Sequence, residues 1–410
     1  MALDRMCVGI ADADMRGGEF GQSYQLDDLP QTLRVEPGGA HTALAWVRGD
    51  RAGVPVARAS HAIDFSDDVT LALDKCVVGP AAAPHTVGDP VGAPGALLAA
   101  SQGQGGTVVA AATAGALAII DAQSGALVAS DGPAITGNPL AIVAADVDGD
   151  CDDDLVVVTD GGPPQIFIRD KTSFTAAGTL GTTLAATAIA AADVDGDGST
   201  DLVIGGAGTL ELWLNDGNGT FTKSGALAAG GHVAAVSALA IGDVDHDGVP
   251  DLVVGQSGSG APLAAYLGSP GGAFAFSTAL IAPIPLDVER FTMADADGDF
   301  LPDLAIAARG SAMRLFIDRD SLEDHSQVAL PQPAAVAHAI AIGGWDAGCP
   351  PDLVIASDAG SPALDGQNTG TFGAEAPGPS ATDVVLADID DDGDLDALFA
   401  TPNGVVWLAR

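Results

Sequence analysis

Residues 188–205 read AIAAADVDGDGSTDLVIG: a short apolar run, nine residues dense in aspartate, and a second apolar run. Within the loop, Asp193, Asp195, Asp197 and Asp201 stand at positions 1, 3, 5 and 9. Alternate acids on a tight turn aim their carboxylates at one centre. Gly198 at position 6 permits the sharp bend, and the Ser199 backbone carbonyl at position 7 can join the ligand shell. Calcium takes six to eight oxygen ligands in flexible geometry, and this loop supplies them. Magnesium, which demands a tight octahedron and keeps its waters, suits it less. An EF-hand would need a bidentate Glu at position 12 and flanking helices. Here the last acid is at position 9 and the flanks are strand-like, so a metal-clamped hairpin is expected.

The segment recurs. AIVAADVDGDCDDDLVVV, ALAIGDVDHDGVPDLVVG, RFTMADADGDFLPDLAIA, AIAIGGWDAGCPPDLVIA and DVVLADIDDDGDLDALFA repeat its frame. The loops start at Asp146, Asp193, Asp243, Asp295, Gly344 and Asp388, in steps of 47, 50, 52, 49 and 44 residues. An acid-free unit near residue 98 keeps the same frame one period earlier, which makes seven units. A period of about 40–50 residues built from short strands predicts an all-β, seven-bladed β-propeller with four antiparallel strands per blade. In each unit a third strand, such as Leu210–Leu214 or Leu263–Leu267, and then a turn and fourth strand, as in NDGNGTFTKSG at 215–225, complete the blade.

Five loops carry the full acid set. The expected ligands are Asp146, Asp148, Asp150 and Asp154; Asp193, Asp195, Asp197 and Asp201; Asp243, Asp245, Asp247 and Asp251; Asp295, Asp297, Asp299 and Asp303; and Asp388, Asp390, Asp392 and Asp396. Position 7 adds Asp152, Ser199, Val249, Leu301 and Asp394 in turn. The loop at Gly344 keeps only Asp346 and Asp352 and is expected to be empty or weak. Position 6 is Cys151 in the first loop and Phe300 in the fourth, where a left-handed turn is unfavourable and distortion is expected. About four or five structural calcium ions follow.

Composition agrees. The 410 residues carry a net charge of −40, and 24 of the 55 acids fall in the five loops. Crowded carboxylates repel unless a cation sits among them. So acidic a chain excludes nucleic acid as a partner, because phosphate binding needs clustered Lys and Arg. No apolar run is long enough to span a membrane. Residues 1–10, MALDRMCVGI, do not resemble a secretory signal. Cys7 and Cys76 could pair in an exported protein, whereas Cys151 and Cys349 occupy equivalent positions in distant repeats.

The pattern GDVDxDGxxDLVVG resembles the FG-GAP repeat, also called the VCBS-type repeat, of integrin α-subunit propellers and many bacterial surface proteins. The resemblance covers about residues 85–410. Phe372-Gly373 is a rare echo of the family's Phe-Gly signature. It implies loops that bind calcium and stiffen the blades, in propellers that serve binding or adhesion outside the cell.

Residues 1–80 fall outside the repeat and read as a small β domain, with strands expected at Thr32–Glu36, Ala43–Arg48, Val54–Ala59 and Val69–Leu73. Residues 81–95, rich in Pro, Ala and Gly, read as a linker, and 96–410 as the propeller. Arg48-Gly49-Asp50 falls between two strand candidates, where a turn could display it, although chance explains so short a motif.

The expected function is a non-enzymatic, monomeric, extracellular or cell-surface scaffold that binds a protein or glycan and is stabilised by calcium. A propeller enzyme acting on polysaccharide, as lyase or hydrolase, and a glycan-binding lectin are the alternatives. The seven histidines show no close metal-binding spacing, and no G-x-S-x-G elbow occurs. His338 reads as a satisfied residue of an apolar strand. Trp213 and Trp407, at equivalent strand positions, read as core and not as sugar platforms.

Overall fold

The computed structural model describes residues 95–410 except 104–105, 124–125, 151, 228–234, 246, 248, 258–262, 278–286, 295, 297–302, 309–312, 318–325, 331–335, 344–350, 368–370, 388, 390–394 and 409–410. Before residue 95 it describes the backbone of five strands.

Six four-stranded antiparallel sheets and one three-stranded sheet follow one another along the chain. Blade one holds Leu97–Ser101, Val108–Thr113, Ala116–Gln123 and Ala126–Asp131. Blade two holds Pro139–Ala145, Asp154–Thr159, Gly162–Asp170 and Ser173–Thr179. Blade three holds Ala186–Ala192, Asp201–Gly206, Thr209–Asn215 and Phe221–Ala226. Blade four holds Ala235–Gly242, Asp251–Ser257, Ala264–Leu267 and Ala275–Ser277. Blade five holds Val288–Ala294, Asp303–Ala308, Arg314–Ile317 and Ser326–Ala329. Blade six holds Ala337–Gly343, Asp352–Ser357, Pro362–Gln367 and Thr371–Pro377. Blade seven holds Asp383–Ala387, Asp396–Thr401 and Gly404–Leu408. The four-strand expectation therefore holds for six blades; the seventh has three strands among the described residues.

The first strand of each blade packs on the first strand of the next, and the last blade packs on the first. The seam between blades seven and one is hydrogen-bonded as well: Leu98 N–H donates to Asp383 Oδ2 at 3.0 Å, and Gly95 N–H to Thr401 O at 2.9 Å. The ring is closed, and the fold is an all-β, seven-bladed propeller.

The packing follows from the strand period. Side chains on a strand alternate between faces, and here each face meets a neighbouring blade. In blade three, Leu202 and Ile204 join the core shared with blade two, while Val203 joins the core shared with blade four. The second strand is thus buried on both sides throughout, which is why it reads as a continuous apolar run and not as an alternating one. A leucine one residue past the last loop acid pairs with an aromatic of the third strand in four successive blades: Leu155 with Phe167, Leu202 with Trp213, Leu252 with Tyr266, and Leu304 with Phe316.

That register corrects one expectation. Trp407 pairs with Leu398, two residues past Asp396, so it lies one position off from Trp213 and on the opposite face. Trp213 packs towards blade two and Trp407 towards blade one. Both are buried, as expected of core residues.

The amino-terminal strands Arg5–Asp12, Phe20–Gln25, Ala43–Arg51, Val54–Ile63 and Asp74–Lys75 form one antiparallel sheet; Ala43–Arg51 and Val54–Ile63 match expected strands, and the other three match none. The expected strands Thr32–Glu36 and Val69–Leu73 lie outside the described residues, as does the expected linker up to residue 94. Arg48-Gly49-Asp50 is not in a turn. It lies within a strand and pairs with Cys7, Met6 and Arg5 on one side and with Arg58, Ala57 and Pro55 on the other. A strand flanked on both edges by partners does not project a tripeptide as a loop does.

Candidate metal centres

Each acidic loop joins the first strand of its blade to the second, so all of them lie at one end of the ring. Among the described residues, three groups of carboxylates converge closely enough to hold an ion: Asp146, Asp148 and Asp154; Asp193, Asp195 and Asp197; and Asp243, Asp245 and Asp251, with ligand atoms within 4.8 Å of one another in each group.

Backbone hydrogen bonds set the loop shape. Asp193 Oδ1 accepts from Gly196 N–H at 2.8 Å and Asp197 N–H at 3.2 Å, and its Oδ2 accepts from Gly198 N–H at 2.9 Å. Asp197 Oδ1 accepts from Ser199 N–H at 2.8 Å. Asp146 repeats the pattern with Gly149 and Asp150, and Asp243 with Asp247. Gly198 has φ +87°, as its place at position 6 requires. Position 4 is left-handed too, with Gly149 at φ +80° and Gly196 at φ +78°, a demand the sequence reading did not register.

The position-9 acid is a different kind of residue. Asp154, Asp201, Asp303 and Asp352 are fully buried, and Asp251 and Asp396 nearly so. One oxygen accepts the N–H of position 2: Val147, Val194, Val244, Ala296 or Ile389. The other accepts an N–H at or just beyond the end of the third strand: Arg169, Asn215, Gly268 or Gly366. This carboxylate ties loop, second strand and third strand together. Burial pushes Asp154 up to about 7, and Asp201 and Asp251 up to about 6, against the lowering effect of those hydrogen bonds. Blade six keeps the third-strand half of this clamp, Gly366 N–H donating to Asp352 at 3.0 Å, although its loop has lost most acids.

The residues fit a hard cation. Burial and the neighbouring carboxylates raise the pKa of both Asp148 and Asp195. Asp148 Oδ1 is shielded from solvent with no hydrogen-bond partner, an acceptor that a bound cation would satisfy. Donor sets made only of carboxylate and carbonyl oxygens suit calcium and magnesium and not zinc or copper.

Asp152 is placed otherwise than its neighbours. It is buried, its Oδ2 accepts the Lys171 N–H at 2.9 Å, and its charge acts on the buried guanidinium of Arg169. Arg169 in turn donates to Ser101 Oγ at 2.6 Å and Gly106 O at 2.5 Å in blade one. Blade one, with no acids of its own, is thereby fastened to the first acidic loop. Asp295, Asp297, Asp299, Leu301, Asp388, Asp390, Asp392, Asp394, Asp346, Cys151 and Phe300 lie outside the described residues.

The loops also touch the neighbouring blade. Asn215 Nδ2, in blade three, donates to Val147 O in the loop of blade two at 2.8 Å, and to Thr200 O in its own loop at 3.0 Å. The turn that follows Asn215 lies so close that a Cβ at Gly149 would come 2.9 Å from Gly217 O. In the same way a Cβ at Gly272 of blade four would come 3.0 Å from Asp195 Cβ of blade three. Each of these loops is therefore roofed by the next blade's outer hairpin, a contact that no sequence signal marks.

A closed ring of antiparallel sheets, with a full acidic loop in the first hairpin of five of its blades, defines a repeat-type β-propeller. Residues 146–204, 193–254 and 243–306 match the FG-GAP-like repeat model, so the chain is an FG-GAP repeat propeller protein. Among solved structures it is similar to the BBS1N chain crystallised in complex with ARL6DN and soaked with mercury. That match has 15% identity and a TM-score of 0.55, and covers 80% of this chain and 96% of that one. The lead-soaked crystal of the same complex gives 14% identity and a TM-score of 0.53, with 80% and 97% covered. An Agrocybe aegerita lectin described as recognising non-reducing terminal N-acetylglucosamine gives 14% identity and a TM-score of 0.47, with 87% and 97% covered. The two BBS1N likenesses show the fold. No curated protein sequence matches the chain. Among the described residues no helix is long and apolar enough to cross a membrane.

Proposed function

We propose that this protein is a non-enzymatic binding scaffold of the extracellular space or cell surface, monomeric, and stiffened by structural calcium. The observation that carries this reading is the wedging of the acidic loops between blades: Asp146, Asp148 and Asp154 sit under the hairpin of blade three, and Asp193, Asp195 and Asp197 under that of blade four. An ion there neutralises the cluster and holds a hairpin that the neighbouring blade grips. Exported proteins meet calcium concentrations high enough to fill even weak sites. The partner is a protein or a glycan, the first in keeping with the similar BBS1N chain, which was crystallised in complex with ARL6DN. The −40 charge disfavours nucleic acid.

Calorimetric titration with calcium after chelator treatment tests the reading. Four or five sites per chain are expected, with magnesium binding much more weakly. A chain that takes up no calcium, or that turns over a polysaccharide panel, would defeat it.

A further inference from the structure

Blade one has the frame of the other blades and none of their loop acids. Ser101 pairs with Val108 as Ala145 pairs with Asp154 and Ala192 with Asp201, so Val108 stands where those blades carry the position-9 aspartate. Its loop, 102–107, has no carboxylate to offer a metal. A cation sits against it nonetheless. Arg169 is fully buried and is the largest such side chain among the described residues. It reaches out of blade two, donating from Nη1 to Ser101 Oγ at 2.6 Å and from Nη2 to Gly106 O at 2.5 Å, while Nε donates to Lys171 O. A Cβ at Gly103 would lie 3.0 Å from Arg169 Cζ and 2.5 Å from Asp152 Oδ1, so the blade-one loop lies directly on the guanidinium and its counter-ion.

The two loops are knitted around that group. Ser101 Oγ donates to Asp153 O at 2.6 Å, Asp153 N–H to Gln102 O at 2.7 Å, and Gln102 N–H to Asp153 Oδ2 at 3.0 Å. Lys171 has φ +60°, the one positive value among the described non-glycine residues, and gives its carbonyl to Arg169 and its N–H to Asp152 Oδ2. The position of Arg169 is telling. It stands two residues past Phe167, the partner of Leu155, as Asn215 stands two past Trp213, the partner of Leu202. Each reaches back to the preceding blade's loop: Asn215 to one that carries acids, Arg169 to one that does not. Gly268 and Gly366, at the same count, follow the acidic loops of blades three and five. By that count in the sequence Arg410 stands two past Leu408, the partner of Ala397, and the blade before it is blade six, the other one poor in loop acids. Only 15 of the 410 residues are Lys or Arg, so basic residues at these two places are not an accident of composition.

We propose that the Arg169 guanidinium is the resident cation of the seam between blades one and two, and that it makes this seam independent of calcium. The proposal rests on the reading of the acidic loops as calcium sites. A guanidinium is permanently charged, is planar and carries five donors, and no chelator can draw it off. Burial opposes its charge, and Asp152, Asp153, Asp154 and Asp150 favour it. Like a bound ion it offsets crowded carboxylates and grips a neighbouring loop; unlike one it is a covalent part of blade two. Removing it would leave Asp152 and Asp153 buried without their counter-charge.

Hydrogen–deuterium exchange on the full chain tests this, in millimolar calcium and again in excess chelator, below the melting temperature of the chelated chain. Peptides over 186–206, the loop hairpin of blade three, should exchange about tenfold or more faster in chelator, while those over 97–113, the same hairpin of blade one, stay within about twofold of their rate in calcium. Arg169→Gln should speed exchange over 97–113 by about tenfold or more in either condition. Arg169→Lys, which keeps the charge and loses the fork, should recover a clear part of that protection. Blade-one exchange that rises in chelator as much as that of blade three would overturn the proposal. So would a Lys variant no better protected than the Gln variant, since hydrogen bonds and not charge would then hold the seam. The wild-type comparison decides even where Arg169→Gln fails to fold. Exchange over 186–206 that ignores the chelator would instead sink the calcium reading, and this proposal with it.

Discussion

Two aspartates in one loop can be set against each other. Asp201 is buried, with both oxygens on backbone N–H groups. Asp195 belongs to the carboxylate group that converges on one centre. Asp201→Asn places an amide donor against a backbone donor, and should lower stability in chelator by about 1–3 kcal/mol. Asp195→Asn should leave the chelated protein as stable as wild type, or slightly more so as repulsion is relieved, while removing part of the calcium response. Thermal melts of both variants, with and without calcium, read the contrast. The sequence shows four equal-looking acids at positions 1, 3, 5 and 9 of the loop; their division into clamp and cluster depends on which backbone groups they meet, and spacing does not reveal that.

His338 provides a pH handle at the same scale. Burial opposes its charged form, but hydrogen bonds to Asp358 and Glu289 outweigh burial and hold its pKa above the ordinary value. A group whose pKa rises on folding contributes stability that is fully present below its unfolded pKa and is lost as pH climbs through the folded one. The melting-temperature gap between wild type and His338→Gln should be wide at about pH 5.5 and close by about pH 8.5. A gap independent of pH would mean that the imidazole does not bridge blades five and six as a cation. The expectation of a satisfied strand residue was right about its strand and silent about its partners, which come from 49 residues upstream and 20 downstream.

At the scale of elements, the coupling between a loop and the next hairpin is the feature to break. Asn215→Ala removes the bonds to Val147 O and Thr200 O. It should cost about 1–3 kcal/mol and should also weaken calcium binding at the loop of blade two, though Asn215 belongs to blade three. Calorimetry on Asn215→Ala alongside the melt would show one site weakened beyond the rest; a purely local destabilisation would leave every site as in wild type. The strands themselves were legible because the second strand is a largely apolar run and, in blades two to seven, an aspartate marks its start. The bulges were not: in blades two to six the first strand carries one extra residue against the second, Leu140, Thr187, Ser237, Glu289 and His338 in turn, and these five types have no pattern in the sequence and emerge only from strand register. The one-residue offset of Trp407 from Trp213 is invisible for the same reason.

In the propeller, seven sheets close on themselves through Asp383, Leu98, Gly95 and Thr401, with no strand exchanged between the first and last blades among the described residues. Such a closure leans on each inter-blade contact, and the acidic loops supply one at several seams. The charge of −40 works against compaction unless cations take up part of it. A ligand that binds only the folded state stabilises it by about 2.7 kcal/mol per site at a hundredfold excess over its dissociation constant, so several filled loops should act together. The repeat period and the loop acids made this architecture readable before any coordinates, whereas closure is a property of the seam between the two ends of the propeller. The most direct measurement is a thermal melt of the full chain in millimolar calcium and again in excess chelator. The account predicts a melting temperature higher in calcium by many degrees, with magnesium unable to restore it; a melting temperature that does not move would mean that the loops are not metal sites.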